Sequence, residues 1–188
     1  KHMLRNRCKH SRRLHKVPIK MARAYLSSIL IILCTVLVEF AILSNITILP
    51  AVPDIVLLVL LYFSVLNGKV FGESMGFFSG MFIDFLSGAP FGFNCLFRTV
   101  IGYIAGFLNQ NINYTGFIIP ALIGLLGTLT KAFLIWITSL FYTKIIPYDI
   151  ISTSFIFELI INTLLSPVIF KFLSHFNKII CVSKEEII

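Results

Sequence analysis

Acidic residues are scarce: the 188-residue chain has eight Asp and Glu against sixteen Lys and Arg, and Glu39 is the first acid met. Charge of either sign is also thin, at 13% of residues, while 57% are hydrophobic. A soluble domain of this length cannot bury so much apolar surface, so the composition excludes one and calls for a bilayer. The net charge of +8 belongs to the chain ends and not to a uniformly basic surface. Lys1, Arg5, Arg7, Lys9, Arg12, Arg13, Lys16, Lys20 and Arg23 precede the first apolar run with no acid among them. No basic, aromatic-lined soluble face accompanies them, which argues against nucleic acid as a partner. They read as a signal for a cytoplasmic N-terminus, or as a contact for anionic headgroups or a protein partner.

Ligand patterns are missing too. Cys8, Cys34, Cys95 and Cys181 are scattered without CxxC spacing, and His2, His10, His15 and His175 add no ligand set. Neither a zinc site nor a disulfide framework is expected. The chain lacks a Walker loop, a GxSxG elbow and an HExxH helix, so no catalytic activity, cofactor or metal is expected. Ser, Lys and carboxylates do occur within apolar segments, but in no spacing that supports an intramembrane enzyme.

What is present is a series of six apolar segments, approximately 24–43, 55–66, 70–86, 95–108, 117–141 and 151–173. The first is about 20 residues long, enough to cross the hydrocarbon core, and reads as a retained anchor. Met21 stands just before it and is a candidate start of translation; nothing below depends on the residues ahead of it. The second and fourth are short for a bilayer about 30 Å thick, so they are expected to tilt, re-enter or borrow flanking residues. Lys69, Lys171, Lys178 and Lys184 fall in connections or tails assigned to the cytoplasm, and Lys144 in an outer loop. This charge distribution supports an all-α integral membrane protein with about six transmembrane helices and both termini cytoplasmic. The expected organisation is a basic cytoplasmic tail (1–23), a six-helix membrane domain (24–174) and a short cytoplasmic tail (175–188).

The richest stretch runs from Pro53 to Leu108. Gly72, Gly76 and Gly80 recur every four residues on one helical face, Gly102 and Gly106 repeat the device, and Gly124 with Gly127 offers a weaker version. Such faces admit close approach of another helix, within the chain or in a second copy. Asp84 continues the first glycine face, and a carboxylate at that depth needs a partner. Arg98 is the expected ion-pair partner across the turn SGAPFGFN, and Asn94 can also satisfy Asp84 or cap the next helix. Glu39, Lys131 and Glu158 are further intramembrane ionisable residues, each a candidate functional position. Lys131 and Glu158 are expected to pair, with Asn162 one turn beyond widening the polar stripe; Glu39 is expected to reach the interface. Pro53 and Asp54 mark a helix start, the aspartate capping exposed N–H groups.

This stretch resembles the rod shape-determining protein MreD family: a PD before an apolar helix, a GK turn, then GFFSGMFIDFLSGAPFGFN and a glycine-bearing helix. The pattern falls on Gly76, Gly80, Asp84, Gly88, Pro90, Gly92 and Asn94, and the resemblance covers roughly a third of the chain. Arg98 is not assigned to the family pattern. The resemblance implies a non-catalytic scaffold in the bacterial inner membrane. It would act with an MreC-type protein, MreB and the RodA and penicillin-binding-protein synthase in lateral peptidoglycan growth and cell shape, among membrane lipids. MreD-like chains also resemble the substrate-binding subunits of energy-coupling-factor transporters. A second reading is therefore a vitamin-binding subunit in which the Asp84 and Arg98 region lines a pocket.

Overall fold

The computed structural model describes residues 2–41, 51–88, 90–110, 116–141 and 152–181. All regular structure among them is helical: α1 (His2–Ala41), α2 (Ile55–Asn67), α3 (Lys69–Ser87), α4 (Phe93–Gly106) with a 3₁₀ turn (Phe107–Gln110), α5 (Ile118–Phe141), α6 (Thr153–Ser174) and the short α7 (Asn177–Ile180). Each of the six apolar segments falls on one of α1 to α6, and Lys144 lies outside the described residues. α1 runs from the basic stretch into the first apolar segment without a break.

Among the described residues three helical stretches are long and apolar enough to cross a membrane: Met21–Ala41, Ile118–Ser139 and Thr153–Ser174. At 1.5 Å per residue each reaches about 30 Å, the thickness of the hydrocarbon core. α2 is apolar but has only 13 residues, or about 20 Å. Its sequence is hydrophobic on every side, and a helix of that kind belongs in the interior. Accordingly Val56, Leu57, Leu58, Leu60 and Phe63 are fully buried, and α2 packs against α1, α3, α4, α5 and α6. The outward sides of α5 and α6 expose Leu122, Leu126, Phe133, Ile160, Leu164 and Val168, the surface a helix presents to lipid rather than to water.

α3 and α4 form a hairpin in near backbone contact. A Cβ on Gly72 would collide with the carbonyl of Gly102, one on Gly76 with the backbone of Arg98 and Thr99, one on Gly80 with Asn94 and Cys95, and one on Gly106 with Gly68 and Lys69. Both glycine faces are thus consumed within the chain, and a second copy is not needed to explain them. Gly124 meets Ser166 of α6 in the same way, while Gly127 makes room for Leu61 of α2.

Neutral hydrogen bonds close one end of the bundle. The Asn109 amide donates to the carbonyls of Val65 and Leu66 at 2.8 and 2.6 Å, and the Asn67 amide donates to Ile180 O at 3.2 Å. The Tyr62 hydroxyl bonds Asn177, and Lys69 lies 3.6 Å from the Phe107 ring centroid. These contacts hold α7 under the C-terminal end of α2.

Candidate functional site

At the opposite end, ionic groups from five helices meet around Asp54. Proline at 53 breaks the incoming chain and leaves Asp54 at the N-cap of α2, where its Oδ1 accepts the Leu57 N–H at 2.8 Å. The same carboxylate accepts Arg98 Nη2 on both oxygens, at 3.0 and 2.9 Å, and Lys131 Nζ on Oδ2 at 2.7 Å. Four donor contacts fill the four acceptor positions of an ionised carboxylate. Lys131 also donates to Glu158 Oε1 at 2.8 Å, so the expected α5 to α6 pair forms and is joined to Asp54.

Asn162 extends the cluster. Its Oδ1 accepts the Asp54 N–H at 3.1 Å, and its Nδ2 donates to Thr128 Oγ1 at 3.2 Å. Thr128 in turn donates to Gly124 O at 2.9 Å. Glu39 does not turn out to the interface: its Oε2 accepts the Val56 N–H at 2.9 Å, closing another open donor of α2. The physical cause is the N-terminus of α2, whose unmet N–H groups and helix dipole attract a carboxylate.

The expected Asp84–Arg98 pair is not formed, because Arg98 is committed to Asp54. Asp84 instead caps α4 across the turn. It accepts the backbone N–H groups of Gly92, Asn94 and Cys95 at 2.9, 3.0 and 3.3 Å, and the Asn94 side-chain amide at 2.8 Å. Gly88 and Gly92 hold the positive φ values, 66° and 94°, that let the chain reverse tightly enough for this. Asp84 is therefore satisfied by the dipole end of the next helix, as the Asn94 alternative anticipated, and needs no cation.

The two arrangements explain the fate of the sequence candidates. Gly72, Gly76, Gly80, Gly102 and Gly106 build the hairpin; Asp84, Gly88, Gly92 and Asn94 close it; Pro53, Asp54, Arg98, Lys131, Glu158, Asn162 and Glu39 make the cluster. Sequence reasoning missed Asp54 as the centre and Thr128 as a member. A signal existed: Asp54 opens an apolar helix, and the two cations Arg98 and Lys131 each need a counter-charge at membrane depth.

A cavity of about 570 Å³ opens beside the cluster, with Glu39, Asp54, Arg98, Lys131 and Glu158 on its polar side. Phe40, Ile83, Phe93, Phe97, Ile135 and Phe155 supply its apolar walls. Lys131 sits ten residues before the end of α5, roughly 15 Å along the axis, so the cluster is set back from that end of the bundle. That depth accounts for the shortness of α2, which begins at the cluster. Ala51, Val52 and Asp54, in the irregular segment before α2, line the cavity, the circumstance in which non-helical chain is tolerated at membrane depth.

The family model for the rod shape-determining protein MreD matches residues 21–176. The chain belongs to that family. The match takes in the whole hairpin, the ionic cluster and helices α1 to α6, α1 from Met21 onward. Searches of curated proteins and of solved structures gave no match. Membership ties the chain to rod-shape determination and to a family of membrane proteins.

Proposed function

We propose that this chain is a non-catalytic scaffold of the bacterial elongation complex, placed in the inner membrane by six spans with both termini in the cytoplasm. On this reading a six-helix domain over 24–174 lies between the basic N-terminal stretch and a short C-terminal tail. It contributes to lateral peptidoglycan growth through an MreC-type partner and, with it, MreB and the RodA and penicillin-binding-protein synthase. The observation that carries the reading is the family match over residues 21–176. The geometry is in keeping with it: an α3–α4 hairpin in backbone contact and a buried ionic cluster joining α2, α4, α5 and α6 suit a rigid docking body.

The test is depletion of the protein in its rod-shaped host together with affinity recovery of the detergent-solubilised chain, using an unrelated polytopic protein as control. Rounding of the cells and selective recovery of the MreC-type partner are expected. Unchanged rods and no recovery would count against the scaffold. The cavity favours one second reading, a small-molecule-binding subunit of an energy-coupling-factor transporter. A vitamin retained in one-to-one ratio through purification, with cell shape unaffected by depletion, would make that reading the better one.

A further inference from the structure

Among the described residues, Glu39, Asp54, Asp84 and Glu158 are buried or half-buried, and each accepts a hydrogen bond. Glu73 differs from all of them. It is exposed, and among the described residues it has neither a hydrogen bond nor an ion pair. It stands four residues beyond Lys69 in α3, about 6 Å along the axis, within the apolar segment 70–86. A carboxylate in that setting calls for a counter-charge. Lys69, one turn away, does not supply it, because its ammonium sits over the Phe107 ring at 3.6 Å.

The register of the hairpin fixes what surrounds this charge. Phe71 turns toward α1, where its ring lies 4.6 Å from that of Tyr25, and Gly72 meets Gly102 of α4. Glu73 follows about 160° round the helix from Phe71, so it lies on the outward side, away from α1 and next to α4. Tyr103 stands beside Gly102 in the same way, exposed, with its ring 5.2 Å from that of Phe107. Val70, Phe77 and Phe85 continue the outward side of α3, and Leu96 and Val100 that of α4, all of them exposed. The result is an apolar, aromatic face that carries a single carboxylate without a counter-charge among the described residues.

We propose that this face docks a membrane-spanning helix of a different protein, with a Lys or Arg at the level of Glu73 and apolar side chains along the rest. Charge complementarity selects the occupant. An acyl chain alone leaves the carboxylate unmet, and an anionic headgroup is repelled by it. An ethanolamine headgroup carries its ammonium on the water side of its phosphate, above a carboxylate that is set back from the helix start. A lysine or arginine delivers its charge on a long apolar stem. It also gains the Tyr103 ring as a second contact, as Lys69 gains that of Phe107. A charge pair closed away from water in such an interface fixes which helix docks and in which register. The inference deepens the scaffold reading and rests on it, since it names the face by which a docking body would hold one partner.

The experiment is site-specific photocrosslinking in the rod-shaped host, with p-benzoylphenylalanine in place of Phe77, and in place of Leu126 on the outward side of α5 as control. The adduct peptide is sequenced by mass spectrometry. Phe77 is expected to yield an adduct with a membrane helix of another protein that has a Lys or Arg about one turn from the crosslinked residue, and Leu126 not to yield it. Glu73→Gln, which breaks no contact among the described residues, is expected to keep the parent melting temperature and to lower the yield about ten-fold or more. Glu73→Lys should abolish the adduct, and replacing that Lys or Arg by Glu in the partner helix should then restore it. An adduct with lipid only, with a second copy of this chain, or with a helix lacking a base at that level would overturn the proposal. So would the absence of a protein adduct, or a yield unchanged by Glu73→Gln. If any of these results is found while depletion rounds the cells and the MreC-type partner is recovered, the docking face is wrong and the scaffold reading stands; unchanged rods and no recovery would remove both.

Discussion

At the scale of single residues, a carboxylate's value depends on what is left when it is removed. Asp54→Leu takes from buried Arg98 its counter-charge and leaves Lys131 with Glu158, whereas Arg98→Leu leaves Asp54 still held by Lys131. Removing one side of a buried pair costs about 3–5 kcal/mol, so Asp54→Leu is expected at or above that range and Arg98→Leu clearly below it. Denaturant unfolding of the two variants in the same detergent ranks them, and the reverse order would displace Asp54 from the centre. The correction at Asp84 has its own check. In double-mutant cycles with alanine, Asp54 and Arg98 are expected to couple strongly. Asp84 and Arg98, which share no partner, should add to within about 0.5 kcal/mol. The residues of the cluster were legible as intramembrane ionisable positions, and Lys131 with Glu158 also as a pair. Arg98 was drawn to Asp84 by nearness in sequence. Its real counter-charge lies 44 positions away, a separation that only the crossing of α2 and α4 closes.

At the scale of elements, two kinds of glycine act in the α3–α4 hairpin, and they predict different penalties. Gly76 is wedged against the Arg98 and Thr99 backbone, so any side chain pushes the helices apart. A Cβ on Gly88 would meet nothing within 4 Å, and the only demand at that position is the left-handed conformation at φ 66°. Gly88→Ala is therefore expected to cost about 1–2 kcal/mol, the strain of that conformation. Gly76→Leu should separate α3 from α4 and abolish the folded state, seen as loss of a cooperative melting transition. If Gly76→Leu melts like the parent, backbone contact is not what joins these helices. The four-residue glycine spacing made this close approach readable from sequence, as hydropathy did for the helices themselves. It did not say which surface the glycines meet, because spacing describes one helix and the partner backbone belongs to another. Nor did it explain why α2 is short, since that depends on a cluster assembled from five helices.

At the scale of the whole molecule, the two ends differ in chemistry, and the difference predicts orientation. One end gathers Lys69, Lys171 and Lys178. They are placed there by contacts of Gly106 with Lys69, of Asn67 with Ile180, and of Ser27 with Ile179 O at 3.5 Å. The other end carries Glu39, Asp54, Asp84 and Glu158, with Arg98 and Lys131 among them, and the mouth of the cavity. On the proposed topology, retention of basic segments in the cytoplasm would put the first end inside and open the cavity toward the outer leaflet. On that topology Ser152, which caps α6 and lines the cavity, would lie at the outer end and Lys178 of α7 at the inner end. With the native cysteines replaced by serine, Ser152→Cys is expected to react with a membrane-impermeant maleimide in spheroplasts. Lys178→Cys should react only after the membrane is opened. The opposite pattern would invert the molecule and turn the cavity toward the cytoplasm. Labelling of both positions in sealed spheroplasts would mean that the two ends do not lie on opposite sides of the bilayer, and would remove the basis for six crossings.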